Sequence, residues 1–525
     1  MSLLIKRVNN LIQLSSVGDQ PVPPALVSLL HAYLSFEKKV MERAKGSHEY
    51  FDGQYIYVPP KKARMKFTQV AMYQLVNGAI VTGSGFLTKI VKILQENGYV
   101  SHFVDLSPPR LRADCYVPDW DNLRARLPGV KPKQMEALER IVAGDCGIIS
   151  AATGFGKSYL IEAVCHLYPS AKIHFVVPQK DVAIKVANTL RAKLPGVGMY
   201  GGGHKTAGER ITVFTVGSMH YTDGDADFLL CDEVHEMMTD ATTSNLVTLW
   251  KNCRNFGFTA TPKGRMDGAD AQLELFFGPQ IFHLSYQDAV ELGLVVPMKV
   301  RWIDVDLPFN PCEGMQEVKK MREGIWRNDA RNKMIAEDVC SNYPDPDTQI
   351  LILCATVEHA VRLGKYLPNF SLCFSDQDAT DIAKYKKAGL LPQHFEEVTP
   401  KVRERMRQQF SAGTLKRVIA TDVWTTGVDF APLQVMYRAD ARASTIKDAQ
   451  APGRVSRIHA ESGKEFGYVV DCFDRFDPGF RRKSEGRRRN YKALGWEQIT
   501  VRKTGGVYTP QLLPFDVQPG SLTQS

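Results

Sequence analysis

Apolar and polar positions alternate along this chain in two blocks that share one rhythm. In the first block, apolar runs at 147–151, 172–177, 211–216, 227–231 and 256–259 are separated by helix-period patterns or loops. In the second, runs at 349–354, 371–374, 417–420, 435–437 and 467–471 are separated in the same way. Short continuous apolar runs alternating with helices predict strands buried on both faces, and so a parallel sheet covered by helices. The segment between the blocks, roughly 308–346, has helical periodicity and reads as a connector.

The first 125 residues follow another pattern. Leu4–Val8 and Leu11–Leu14 flank Asn9-Asn10, which reads as a hairpin turn. Pro23-Pro24 open an amphipathic pattern running to about Arg43. Asp52-Gly53 marks a second turn before the strand-like Gln54–Val58, and Phe86–Asn97 reads as a helix ending at Gly98. The stretch Ser107–Asp119, with Pro108-Pro109, reads as a linker. The expected fold class is α/β, with two parallel-sheet domains behind a small α+β N-terminal unit.

Composition narrows this picture modestly. A chain of 525 residues exceeds one core and suggests about three or four domains. A net charge of +9 fits a polyanionic partner without requiring one. The ten cysteines contain no Cys-x-x-Cys pair, which argues against a zinc ribbon or disulfide framework and for reduced thiols inside a cell. No apolar run reaches membrane-spanning length, and the N-terminus lacks the layout of a signal peptide. The expectation is a cytoplasmic protein that does not engage a membrane.

Candidate chemistry gathers at strand ends. Residues 147–158 read Gly-Ile-Ile-Ser-Ala-Ala-Thr-Gly-Phe-Gly-Lys-Ser, and the helical pattern Tyr159–Val164 follows. Strand, glycine-rich loop and helix in that order form a phosphate cradle, lined by backbone N–H groups and the helix N-terminus. Lys157 suits the β- and γ-phosphates of a nucleotide, and the Ser158 hydroxyl suits Mg²⁺. Ala151 stands where the usual pattern has Gly, and a helix start with a solvated lysine is the alternative. A second apolar run delivers Asp232-Glu233 at its carboxyl end, where open α/β sheets bind ligands. Asp232 can hold the same Mg²⁺, and Glu233 can orient or deprotonate a water; alone, the pair also suits a solvated acidic turn.

Asp232-Glu233-Val234-His235 resembles the DExH box of superfamily-two helicases. Ala151–Ser158 resembles their motif I, whose first position is often Ala. Other segments match in family order. Gln134 resembles the Q-motif glutamine that reads adenine. Val177-Pro178-Gln179 is similar to motif Ia and Thr215–Ser218 to motif Ib. Thr259-Ala260-Thr261-Pro262 resembles motif III. Ile419–Asp422, continuing to Gly427-Val428-Asp429, resembles motif V. Gln450–Arg457 fits QxxGRxxR, motif VI, at every fixed position. Over roughly 130–475 the resemblance implies two tandem RecA-like domains that use ATP and Mg²⁺.

It also implies site residues. Thr153, Gly154, Gly156, Lys157, Ser158, Gly427 and Asp429 would join Gln134 around the nucleotide. Lys157, Asp232, Glu233, Arg454 and Arg457 would carry catalysis, the two arginines from the second domain. His235, Thr259, Thr261 and Gln450 would couple hydrolysis to strand binding. Pro178, Gln179, Thr215, Gly217, Ser218 and Thr421 would contact nucleic acid. The first unit is similar to the N-terminal domain of XPB-like helicases and to the accessory domain of phage UvsW-type branch-migration helicases. DNA, single-stranded or branched, is therefore the favoured partner, acting on a monomer, in host cytoplasm if the chain is of phage origin. RNA, or nucleic-acid binding without catalysis, remains open at this point.

Two basic or glycine-rich features stand outside the motifs. The run Arg481–Lys483 and Arg487–Arg489, with Tyr491 and Lys492, suits phosphate contact through Arg488, or a solvated helix face. Gly202, within Gly201–Lys205, lets backbone amides approach a phosphodiester chain, or simply turns the chain. The expected organisation is an accessory domain over 1–125, a first RecA-like domain over 126–300, a helical connector over 301–346, a second RecA-like domain over 347–480, and a basic segment with an irregular tail over 481–525.

Overall fold

The computed structural model describes residues 2–18, 20–42, 47–51, 54–58, 64–108, 117–260, 271–375, 379–424, 430–443, 448, 451–504 and 507–511. It divides into two compact units. One is Met1–Ala151 with Gly156–His283; the other is Ala152–Phe155 with Leu284–Ser525.

The first unit opens with a five-stranded sheet in the order Tyr73–Val76, Ala79–Gly83, Leu11–Ser16, Ser2–Val8, Val100–Asp105. Asn9, with φ of 57°, turns the first hairpin. Asparagine tolerates this left-handed backbone better than most side chains. Helices Pro24–Tyr33 and Leu87–Glu96 add Leu26, Leu30, Ile90 and Leu94 to the buried core. The helix from Pro24 stops ten residues short of Arg43. The Ser35 hydroxyl donates to the His31 carbonyl, the acceptor the next helical turn would have used. Ser35–Glu42 then pairs antiparallel with Arg64–Ala71.

This N-terminal sheet is fastened to the α/β sheet of the same unit. A Cβ on Gly85 would stand 2.0 Å from the Glu274 carbonyl, and one on Gly83 would stand 2.2 Å from that of Leu275. Only glycine permits that approach to helix Ala271–Phe277. Lys89 pairs with Glu274 at 3.0 Å, and Arg7 with Asp145 at 3.6 Å. Helix Trp120–Arg126 also belongs with the α/β portion: the Asp119 N–H donates to the Leu167 carbonyl, and Asn122 Nδ2 to that of His166, each at 2.7 Å.

The α/β portion runs α1 (Pro132–Ala143), β1 (Cys146–Ala151), α2 (Lys157–Leu167), β2 (Ile173–Val177), β3 (Ile211–Thr215), β4 (Phe228–Cys231) and β5 (Arg254–Thr259). The sheet order is His204–Thr206, Val197–Gly201, β3, β2, β4, β5, β1, Gln280–Leu284. Neighbouring pairs from Val197–Gly201 through to β1 are parallel. All five apolar runs of the first block thus lie in one sheet, and their carboxyl ends share one edge.

The second unit contains β6 (Met298–Val305), α3 (Asp329–Asn342), β7 (Ile350–Leu353), β8 (Ser371–Cys373), β9 (Arg417–Ala420), β10 (Val435–Arg438), β11 (Gly467–Asp474) and α4 (Pro478–Ala493). Its sheet order is β8, β9, β7, β10, β11, β6, Glu497–Thr504, Val507–Gln511. The two ends of this sheet correct the sequence reading. Residues 298–305 are a strand paired parallel with β11, not the start of a helical connector. Residues 497–504 pair parallel with β6, so the segment after 481 completes the sheet. The helical part of the connector is α3 and the shorter helices before it.

Among the described residues, no helix is long and apolar enough to cross a membrane, and the cysteines form no disulfide.

Candidate nucleotide and nucleic-acid site

The turn from β1 into α2 depends on two glycines. Gly154 and Gly156 have φ of 96° and 93°, a backbone region that other residues occupy only under strain. Gly156 has a second constraint: a Cβ there would stand 2.7 Å from Gln134 Nε2. Gln134 is buried at the third position of α1, where its Oε1 accepts from the Lys131 backbone N–H at 3.0 Å. The expected adenine-reading glutamine is thus held by its own helix start and set against the glycine turn. Thr153 and Gly154 lie in the tetrapeptide that groups with the second unit.

Lys157 is the first residue of α2 and is buried. Its Nζ donates to the Ala151 carbonyl at 3.1 Å, which pulls the ammonium back over the loop. Ser158 follows it, exposed on the first helical turn. Asp232 directly follows β4 and is buried. Burial, then the neighbouring Glu233, push its carboxyl up to about 7, against the lowering influence of Lys157. The Glu233 backbone N–H donates to Asp232 Oδ1 at 2.9 Å. A carboxyl whose burial opposes ionisation regains its charge when a divalent cation binds beside it. The donor set of Asp232 and Ser158 oxygens therefore suits Mg²⁺, which takes few protein ligands and keeps waters and phosphate oxygens. No cluster of three or more His, Cys, Asp and Glu suited to a metal occurs among the described residues.

Glu233 has φ of 47°, a conformation a glutamate adopts only when its surroundings impose it. The turn leaves its side chain partly exposed, with Oε2 3.6 Å from His235 Nδ1. His235 is fully buried and shares a 2.7 Å hydrogen bond between Nδ1 and Thr259 Oγ1. That bond ties the end of β4 to the end of β5. The histidine and threonine expected to couple hydrolysis to strand binding are therefore in direct contact. A link absent from the sequence reading joins Gln179 Nε2 to Glu236 Oε2 at 3.3 Å, connecting the segment after β2 to that after β4. Glu236 follows His235 directly, so its proximity to the acidic turn was available in the chain; its partner was not.

The expected nucleic-acid contacts fall into groups. Pro178 and Gln179 follow β2, and Gln179 immediately precedes helix Lys180–Arg191. A Cβ on Gly202 would stand 3.1 Å from the Lys180 side chain, and one on Gly201 would stand 2.5 Å from Thr215 Oγ1. The Ser218 hydroxyl donates to the Tyr200 carbonyl at 2.6 Å, and Gly217 is exposed. Gly202, Thr215, Gly217 and Ser218 thus gather along one edge of the first unit's sheet, beside Gln179. In the second unit, Thr421 directly follows β9, buried, with its N–H donating to the Cys373 carbonyl at 3.2 Å.

Arg454 is buried and Arg457 half-buried at the turn Pro452–Ser456, also in the second unit. Arg488 is half-buried on α4. The basic run is not all surface: Arg487 is fully buried and pairs with Asp471 at 2.9 Å. Thr261, Gly427, Asp429 and Gln450 lie outside the described residues.

Two families match this chain. Residues 128–264 match "Type III restriction enzyme, res subunit", and residues 334–459 match "Helicase conserved C-terminal domain". The chain belongs to the superfamily-two helicases. This superfamily-two chain is 25% identical over 287 residues to a "Putative type I restriction enzyme MjaIXP endonuclease subunit" of Methanocaldococcus jannaschii, covering 48% of the chain and 26% of that protein. It is 21% identical over 265 residues to a "Type I restriction enzyme EcoAI endonuclease subunit" of Escherichia coli, covering 47% of the chain and 31% of that protein. The chain spans between a quarter and a third of the length of these curated relatives. Among solved structures, "The crystal structure of T4 UvsW" aligns over 95% of this chain and 99% of its own, with 14% identity and a TM-score of 0.38.

Proposed function

We propose that this protein is an ATP-dependent DNA helicase or translocase, in which Mg·ATP hydrolysis drives movement on DNA. The observation that carries the reading is the convergence of Lys157 and Asp232 at the ends of β1 and β4, with His235 bonded to Thr259 behind them. Lys157 would leave the Ala151 carbonyl to bind the phosphates. Asp232 and Ser158 would hold the Mg²⁺, which neutralises phosphate charge when bound. Glu233, turned outward by its backbone, would orient the attacking water and take its proton. The Glu233–His235–Thr259 chain would carry the state of that water to the β5 end. Arg454 and Arg457 would supply cations to the γ-phosphate when the domains close.

Lys157→Ala tests this directly. It should lose DNA-stimulated ATPase while keeping its circular dichroism spectrum. Full activity in that variant would remove the site assignment.

DNA is favoured over RNA by the XPB-like first unit, and the matched relatives carry restriction-enzyme names. Those names also favour a second reading, translocation on duplex without strand separation. Strand-displacement and triplex-displacement assays side by side distinguish the two. A panel of single-stranded, duplex, forked and four-way-junction DNA tests the finer proposal of a branched substrate in recombination, repair or replication. Equal ATPase stimulation by all four would exclude that preference.

A further inference from the structure

Three aromatic rings of the first unit form one continuous stack, running from core to surface. Phe214, on β3, is 1% exposed. Tyr200, on the neighbouring parallel strand, lies 5.5 Å from it at an interplanar angle of 11°. Tyr221 lies 5.3 Å from Tyr200 at 14°, and is 44% exposed. Exposed His220 sits 4.1 Å from Tyr221, and Lys205 Nζ lies 5.4 Å from the Tyr221 ring centroid. The outer ring is therefore both anchored and cationically flanked.

Its position gives the stack a purpose. Tyr221 ends the turn Val216–Tyr221, which starts from Thr215 and holds Gly217 and Ser218. Tyr200 immediately precedes Gly201-Gly202-Gly203, and its carbonyl accepts from Ser218. Lys205 follows that loop. The exposed end of the stack thus adjoins the residues that the sequence leads one to expect at nucleic acid.

We infer that Tyr221 is a base-stacking platform for single-stranded DNA, with Lys205 contacting the adjoining phosphate. Stacking on an aromatic face tolerates any base, as a translocating protein requires. A ring already stacked on Tyr200 and Phe214 loses little freedom on binding, so the platform is pre-organised. Lys205, which lies over the ring, would swing to the phosphate as the base takes its place. The inference rests on the proposed action on DNA and adds a contact residue to it.

The test measures binding of a short deoxythymidine oligomer to the full chain by fluorescence anisotropy across a salt series. Tyr221→Leu keeps apolar cover over Tyr200 but removes the ring; Tyr221→Phe keeps the ring. Tyr221→Leu should weaken binding by about 5- to 160-fold, the range of one base–aromatic stack, with an unchanged salt slope. Tyr221→Phe should bind like the wild type. Lys205→Ala should lower the salt slope by about one phosphate contact. ATPase without DNA should persist in all three, which shows that they fold. Wild-type-like binding by Tyr221→Leu, beside a binding wild type, would overturn this inference alone. Absence of DNA binding by the wild type would overturn the broader reading first.

Discussion

At Asp232, protonation and stability meet the Mg²⁺ binding proposed above. Its carboxyl is pushed up to about 7 by burial and by Glu233, whereas an unfolded aspartate titrates near 4. Between those values the folded chain holds a proton that the unfolded chain has released. Stability from this group is therefore fully present below about pH 4, falls as pH rises through the window to 7, and stays lowered above it. Asp232→Asn removes the ionisation and keeps the shape. Its melting temperature, without nucleotide, should exceed that of the wild type at pH 8, and the gain should shrink at pH 5. Differential scanning calorimetry at both values checks this, and an equal shift at both would contradict the burial argument. The same variant should lose ATPase, because a neutral amide is a poor Mg²⁺ ligand. Stability and activity would then oppose each other at this residue, as is common where a site holds a charge its fold disfavours.

The elements legible in the sequence were those whose chemistry is local. The apolar runs of β1, β4 and β9 and the glycine turn before α2 depend on neighbours in the chain, and the structure places them as read. The elements missed were those that bury charge through distant partners. β6 carries Arg301, which looks incompatible with a core strand until Asp338 of α3 pairs with it. Arg487 reads as surface in a basic run until Asp471 of β11 meets it; on the next element pair, Arg331 meets Asp474 at 2.7 Å. Both pairs are fully buried, and they fasten α4 and α3 to β11. Removing one partner leaves an uncompensated buried charge, a loss of about 3–5 kcal/mol. Arg487→Ala should therefore unfold at markedly lower urea concentration. Arg489→Ala, at an exposed position of the same helix, should melt like the wild type. If Arg487→Ala kept full stability and only weakened DNA binding, the residue would belong to the surface patch instead.

At the scale of the molecule, the proposed catalytic residues are divided between the two units. Lys157, Ser158, Asp232 and Glu233 belong to the first; Arg454 and Arg457 belong to the second. On the proposed reading, the lysine and the Mg²⁺ ligands would come from the first unit, while turnover would need cations from the second. Such a division would make hydrolysis conditional on domain closure, and closure conditional on whatever the two domains grip. The N-terminal sheet adds to this economy. Gly83 and Gly85 lock it against helix Ala271–Phe277, so DNA held by that sheet would load the first α/β domain directly. Arg457→Ala separates binding from turnover. Its affinity for a fluorescent ATP analogue should stay within about threefold of wild type, an allowance of under 1 kcal/mol. Its DNA-stimulated kcat should fall by about 10³–10⁵, the contribution of a cation supplied to the γ-phosphate in the transition state. Lys157→Ala, by contrast, should lose the binding itself. Equal loss of nucleotide binding in both variants would place Arg457 in ground-state recognition, and survival of turnover in Arg457→Ala would remove the second unit from catalysis.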